Sequence, residues 1–142
     1  MTVAAILARK GSDVVSVDCS ATVRDAAAAL ASHRIGALPV LRGGEVAGVI
    51  SERDIVYCID SEGAAVLDRR VDMVMTAPAI TVAPDVSVLA ALSQMSAKRI
   101  RHLPVVEGGK LTGIVSIGDL VAHRIAMIES EAEAMRAYIA GA

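Results

Sequence analysis

The strongest constraint on how this chain can fold is that most of it is written twice. A shift of 65 residues carries Pro39, in RIGALPVLRGGEVAGVISERDIV, onto Pro104, in RIRHLPVVEGGKLTGIVSIGDLV. The same shift pairs Val17 with Val82, Val23 with Val88, Arg34-Ile35 with Arg99-Ile100 and Gly43-Gly44 with Gly108-Gly109. It also pairs Gly48 with Gly113, Ser51 with Ser116 and Asp54 with Asp119, with no gap from Val15 to Val56. One copy has a sheet face to cover and little to cover it with, so two copies must pack together. The expectation is a shared core, pseudo-two-fold symmetry, and clefts between the copies in related pairs.

Each copy reads β-α-β-β-α, which makes the chain α/β (α+β) in class. A short apolar strand comes first, at 14–17 and 79–82. Thr22 and Ser87 then suit helix N-caps. In the second copy Val88, Leu89, Leu92 and Met95 fall at helical spacing. Two strands follow, at 38–41 and 46–50 in the first copy, joined by Gly43-Gly44, a dipeptide suited to tight hairpin turns. A second helix opens at Ser51 or Ser116, and the last one runs from Asp119 to Ile139 without Gly or Pro. Leu7-Ala8-Arg9 fits a short leading helix. The expected divisions are residues 3–66 and 67–126 for the two repeats and 127–142 for a helical extension.

With no Phe, no Trp and two Tyr among 142 residues, the core has to be aliphatic. Met73, Met75 and Met95 read as core filler. A hydrophobic fraction of 54% against 21% charged argues against disorder. Lack of aromatic stacking platforms and a net charge of −2 argue against nucleic acid and anionic membranes as partners. Cys19 and Cys58 are too few for a disulfide framework or a zinc site. His33, His102 and His123 have no metal-ligand spacing, so no metal is expected. The apolar window 79–97 contains Pro84-Asp85 and is no membrane span. Arg9 and Lys10 follow the first apolar stretch, the reverse of signal-peptide order, so a cytoplasmic location is expected. No G-x-S-x-G elbow, Walker A loop or G-x-G-x-x-G occurs, and no enzyme activity or catalytic residue is expected.

The segments GVISERD (48–54) and GIVSIGD (113–119) are the candidate chemistry. In each, a strand gives way to a helix at Ser, where unsatisfied N–H groups and the helix dipole favour an anion. The acid one turn later suits the two adjacent hydroxyls of a ribose. The same pattern is also a helix cap, in which Ser and the acid bond each other's backbone, and one such motif alone is more often a cap. Its recurrence at the same place in both copies, each time after an apolar strand, favours a nucleoside-phosphate site.

With these segments, the paired Ala-Leu-Pro-Val and His-Leu-Pro-Val strands and VDMVMT at 71–76, residues 3–139 resemble a tandem pair of CBS (cystathionine β-synthase) domains, a Bateman module of the stand-alone type. The resemblance implies a regulatory module that binds AMP, ADP, ATP, NAD or S-adenosyl compounds between the repeats. It implies that Asp54 and Asp119 take ribose hydroxyls, with Ser51 and Ser116 near phosphate or ribose. Ala37, Leu38 and Pro39, with His102, Leu103 and Pro104, would line the adenine. Ser16, Val17, Thr81 and Val82 would offer backbone bonds to the base. Basic residues beside a helix N-terminus favour phosphate, so the cleft reached by Arg101 and His102 is expected to bind anions better, with Arg53 as a further candidate. Arg34 and Arg99 read as solvated charges at helix C-termini. The amphipathic tail carrying Ile128, Met135, Tyr138 and Ile139 is expected to support a homodimer, and a separate, unidentified regulated protein would read the signal. The alternative is a dimeric interaction scaffold with vestigial sites.

Overall fold

The structure is a computed structural model and describes residues 1–141; Ala142, the last residue of the expected extension, lies outside the described residues. Helix α1 (Val3–Lys10) precedes strand β1 (Val17–Asp18), helix α2 (Val23–His33), strands β2 (Ala37–Arg42) and β3 (Glu45–Ser51) and helix α3 (Glu52–Glu62). Two 3-10 turns, Ala64–Asp68 and Val71–Met73, lead to the second copy. It contains helix α4 (Val88–Lys98), strands β4 (His102–Glu107) and β5 (Lys110–Ser116) and helix α5 (Ile117–Gly141).

The repeat holds at the level of backbone detail. Thr22 caps α2 in a reciprocal box with Asp25, and the Ser87 hydroxyl accepts from the Ala90 amide at 3.0 Å. Arg34 and Arg99 close α2 and α4 in the left-handed conformation, at φ 53° and 55°. Both hairpins turn on Gly-Gly pairs with positive φ, and each is bulged at the same place, between Val40 and Leu41 and between Val105 and Val106. β1 pairs parallel with β2, which pairs antiparallel with β3, while β4 and β5 form their own ladder.

The first strand of each copy is shorter than expected. Only Val17–Asp18 form a ladder in the first copy, and in the second only Val82 bridges, to Val105. Pro78, Ala79 and Ile80, ahead of Val82, line a cleft instead of extending the sheet. Leu89 is exposed, since Val88, Ala91 and Met95 make the buried stripe of α4, and Met73 is exposed on its 3-10 turn. α5 continues to Gly141 with no break at residue 127.

The two copies do not share one core. One buried cluster gathers Val23, Ala26, Leu30, Leu38, Val40, Ile50 and Ile55 with Val71; Val74 and Met75 pack against it. The other gathers Val82, Val88, Ala91, Met95, Leu103, Val105, Val115 and Leu120 with Val3 and Ile6. The copies are therefore tied by exchange: α1 packs into the second core and residues 71–75 into the first. Backbone bonds fasten both exchanges. The Val3 amide donates to the Val86 carbonyl and the Val88 amide to the Met1 carbonyl, while the Val71 amide donates to the Ala21 carbonyl. Gly48 and Gly113 permit the close approach. A Cβ on Gly48 would lie 2.6 Å from Met75 Sδ, and one on Gly113 would lie 2.7 Å from Leu7 Cδ2.

Candidate functional site

The exchange leaves a cleft between the N-terminal end of α3 and the second copy. Its walls are Gly36, Ala37, Val49 and residues 51–54 on one side, and Thr76, Pro78, Ala79, Ile80 and Arg99 to His102 on the other. Its volume is about 640 Å³. Val56 and Tyr57, on the next turn of α3, complete it.

Asp54 is held in two ways at once. Its Oδ2 accepts from the Ser51 amide at 2.9 Å and the Ser51 hydroxyl at 3.0 Å, and its own amide donates to that hydroxyl at 3.2 Å. The capping box is thus fully formed. Oδ1 takes no part in the cap and, among the described residues, accepts only from the Thr76 hydroxyl, at 3.1 Å. A carboxylate has about four lone-pair sites, so capping the helix does not exhaust its capacity for a ligand. The cap and the ligand readings of this motif are therefore compatible.

The expected row of free N–H groups is not what α3 presents. The Glu52 amide donates to the Gly36 carbonyl at 3.0 Å, and the Asp54 amide is taken by Ser51. Backbone donors near the interior find partners within the chain. Positive charge at this end comes instead from side chains: Arg53, Arg99 and Arg101 surround the cleft, against Glu52 and Asp54. Arg99 is both the cap of α4 and part of the wall.

His102 lines the same cleft. Burial, and then the charge of Lys10, pull its pKa below the ordinary 6.5, outweighing the pull of Asp119 and Glu52. A shift in this direction favours the neutral imidazole, which offers a hydrogen bond to a ligand in the cleft.

Ala37, Ser51, Arg53, Asp54, Arg101 and His102 are thus brought together. Leu38, Pro39, Val82, Leu103 and Pro104 are buried behind the wall, Thr81 is half-buried, and Val17 sits in the β1 ladder. Ser16 lies in a separate groove with Gly43-Gly44 and Gly108-Gly109 at the hairpin tips.

Ser116 and Asp119 occupy the related position in the second copy. Oδ2 of Asp119 accepts from the Ser116 amide at 2.8 Å, and the Asp119 amide donates to the Ser116 hydroxyl at 3.1 Å. Lys10 also bonds this Oδ2, at 2.6 Å. Burial raises the Asp119 carboxyl, but the bonds from Lys10 and Ser116 outweigh it and hold the pKa below the ordinary carboxylate value. Thr76, Pro78, Ala79 and Ile80 in the cleft wall, and Lys10 on Asp119, are neighbours of the two carboxylates that the motif spacing does not single out; all lie outside the strand–helix segment in which the motif stands. Among the described residues, no three His, Cys, Asp or Glu side chains gather to hold a metal. No helix among the described residues is long and apolar enough to cross a membrane.

A strand–helix unit present twice, each time with a carboxylate capped by its own Ser and in the first copy lining a cleft between the copies, defines a tandem-repeat module, and comparison with known proteins gives its family. The CBS domain profile matches residues 3–61 and 71–126. The chain is 38% identical over 125 residues to the mitochondrial CBS domain-containing protein CBSX3 of Arabidopsis thaliana, covering 84% of this chain and 61% of that protein. Among solved structures it is similar to the CBS-domain containing protein ATU1752 of Agrobacterium tumefaciens, at TM-score 0.82 and 39% identity, over 87% of this chain and 92% of that one. It is also similar, at TM-score 0.76 and 25% identity over 86% of this chain and 98% of that one, to the CBS domain pair of protein MJ0100, solved with 5′-methylthioadenosine and S-adenosyl-L-methionine. The chain belongs to the CBS-domain family, and its two matched repeats make it a CBS-pair regulatory module.

Proposed function

We propose that this module senses adenosine nucleotides, binding AMP, ADP, ATP or NAD between its repeats and passing the signal to a separate protein in the cytoplasm. The observation that carries this reading is Asp54, which caps α3 through one oxygen and turns the other into a cleft rimmed by three arginines. Ribose hydroxyls would replace Thr76 on Oδ1, and the phosphate would lie among Arg53, Arg99 and Arg101. The base would rest on Ala37, Val49 and Ile80, an aliphatic slot that fits a flat ring without stacking it. The cleft volume lies within the range usual for small-molecule sites, about 300–1,000 Å³. The adenosine ligands of the MJ0100 domain pair support the same class of compound. A signal requires that the nucleotide bind one arrangement of the repeats better than another.

A thermal-shift panel of AMP, ADP, ATP, NAD, GTP and S-adenosylmethionine tests the reading. A ligand at about 100 times its Kd adds roughly 2.7 kcal/mol, which raises the Tm of a chain this size by about 5–10 °C. An adenosine compound should give this shift and Asp54→Asn should abolish it. A flat panel, on protein shown by mass spectrometry to carry no bound nucleotide, rejects it. The exposed apolar side chains Val56, Tyr57, Ile117, Val121 and Ile125 on α3 and α5 favour a second reading, a homodimeric interaction scaffold. It predicts that Asp54→Asn leaves both dimer and partner binding intact.

A further inference from the structure

α5 carries a pattern that neither the repeat nor the cleft uses. Val121, Ile125, Ile128, Ala132, Met135 and Ile139 recur at alternating steps of four and three residues. That is the heptad spacing of a coiled coil, with Ile125, Ala132 and Ile139 at positions a and Val121, Ile128 and Met135 at positions d. At about 100° per residue these six form one stripe along the helix. The buried residues Leu120 and His123 fall outside the stripe, towards the opposite face, and hold α5 to its own module. The stripe therefore faces away from the module: five of its side chains are exposed and Ala132 is half-buried.

The charges beside the stripe identify what covers it. Arg124 and Glu131 stand at positions g, and Glu129 and Arg136 at positions e. Among the described residues, none of the four pairs with a charge of its own chain. In a parallel, in-register pair of helices, each g residue meets the following e residue of the partner helix. Arg124 then faces Glu129 of the partner subunit, and Glu131 faces Arg136 of the partner subunit, so opposite charges meet at every such contact. An antiparallel pair with the same apolar layers would set Glu129 against its own copy and Glu131 likewise, and like charges facing each other repel. We infer that α5 pairs with α5 of a second copy as a parallel, in-register coiled coil over residues 121–139. This gives the homodimer of the second reading a direction and a register, and it holds with or without a nucleotide in the Asp54 cleft. Parallel pairing sets the two modules side by side at the N-terminal end of α5.

Cysteine cross-linking of the full chain reads the direction, with the chain's own thiols removed by Cys19→Ala and Cys58→Ala. With Met135→Cys, mild oxidation is expected to give a disulfide-linked dimer, because facing d positions of a parallel pair lie within disulfide reach. Ala137→Cys, on the opposite face of α5, is expected to give none. Charge reversal reads the register. Arg124→Glu with Arg136→Glu makes every g–e contact of the parallel pair like-charged and should raise the dimer dissociation constant at least about tenfold in sedimentation. An equal mixture of that chain with Glu129→Arg, Glu131→Arg should recover the dimer, which also shows that both variants fold. A wild type that sediments as a dimer, but cross-links no better at 135 than at 137, overturns the inference and leaves the homodimer standing. A dimer constant unmoved by Arg124→Glu with Arg136→Glu does the same. A monomeric wild type overturns both, and leaves the stripe to a helix of another protein.

Discussion

Gly48 and Gly113 occupy equivalent places in β3 and β5, yet replacing them should not cost the same. A Cβ at Gly48 meets Met75 Sδ at 2.6 Å and the Thr76 carbonyl oxygen at 2.7 Å, and the latter is backbone fixed by its own bonds to Val49. A Cβ at Gly113 meets the two terminal methyls of Leu7, which can turn aside. Gly48→Ala should therefore destabilise by about 2–3 kcal/mol and Gly113→Ala by about 1 kcal/mol, read as urea midpoints at constant m-value. Equal losses would mean that the exchanged segments are not fixed as described. At His102 the prediction concerns pH. Its folded pKa lies below the ordinary 6.5, so on acidification the unfolded chain takes up the proton first. Stability present above pH 6.5 should then drain away as pH falls from 6.5 towards the folded pKa. His102→Gln should flatten this part of the profile. A second fall, below the ordinary carboxylate value of 3.8, belongs to Asp119, whose folded pKa is also lowered.

At the scale of elements, α1 is the clearest case of a piece whose sequence position and structural home differ. It precedes the first copy, yet Val3 and Ile6 are buried in the second core. Ile6→Ala should cost about 2–4 kcal/mol. Hydrogen exchange should speed up first in α4, β4 and β5, with α2 and β2 protected until global unfolding. Faster exchange spread evenly over both copies would contradict two separate cores. The same element shows where reading the sequence stopped. Hairpins, caps and helix starts were legible because each is set by residues at or near the place itself: Gly43-Gly44, Thr22 at the start of α2, Ser51 with Asp54. α1 was legible as a helix, but its partner was not, because a repeat alignment pairs equivalent residues and not touching ones. The ungapped shift of 65 also fails outside 15–56. Val3 packs as Val71 does, and Leu7 covers Gly113 as Met75 covers Gly48, both a shift of 68. With the leader out of step, nothing in the sequence set Lys10 beside Asp119. For the same reason the motif showed Asp54 but not Thr76 or the wall at 78–80.

Taken whole, the molecule has more apolar surface than its two cores use. α5 has 25 residues and is about 37 Å long, but only Leu120 and His123 on it are buried. Val121, Ile125 and Ile128 are between 41% and 51% exposed, and Val56 and Tyr57 on α3 are exposed as well. Side chains of this kind on two helices are the pattern of an interface. Sedimentation at tens of micromolar should therefore give a dimer, and Val121→Glu with Ile125→Glu should give a folded monomer. A wild type that sediments as a monomer would remove this surface from the account. The consequence for signalling comes from α3, since Val56 and Tyr57 belong both to the wall of the Asp54 cleft and to the exposed apolar surface. A nucleotide in that cleft and a second copy on that surface would then act on one helix, and their free energies must be linked reciprocally. If AMP changes the dimer dissociation constant by some factor, dimerisation must change AMP affinity to match. Comparing AMP binding by the wild type and the monomeric variant, beside the dimer constant with and without AMP, measures the two sides independently. Equal affinities in both chains would mean that the module reads its ligand without using the dimer, and that the output must leave through another surface.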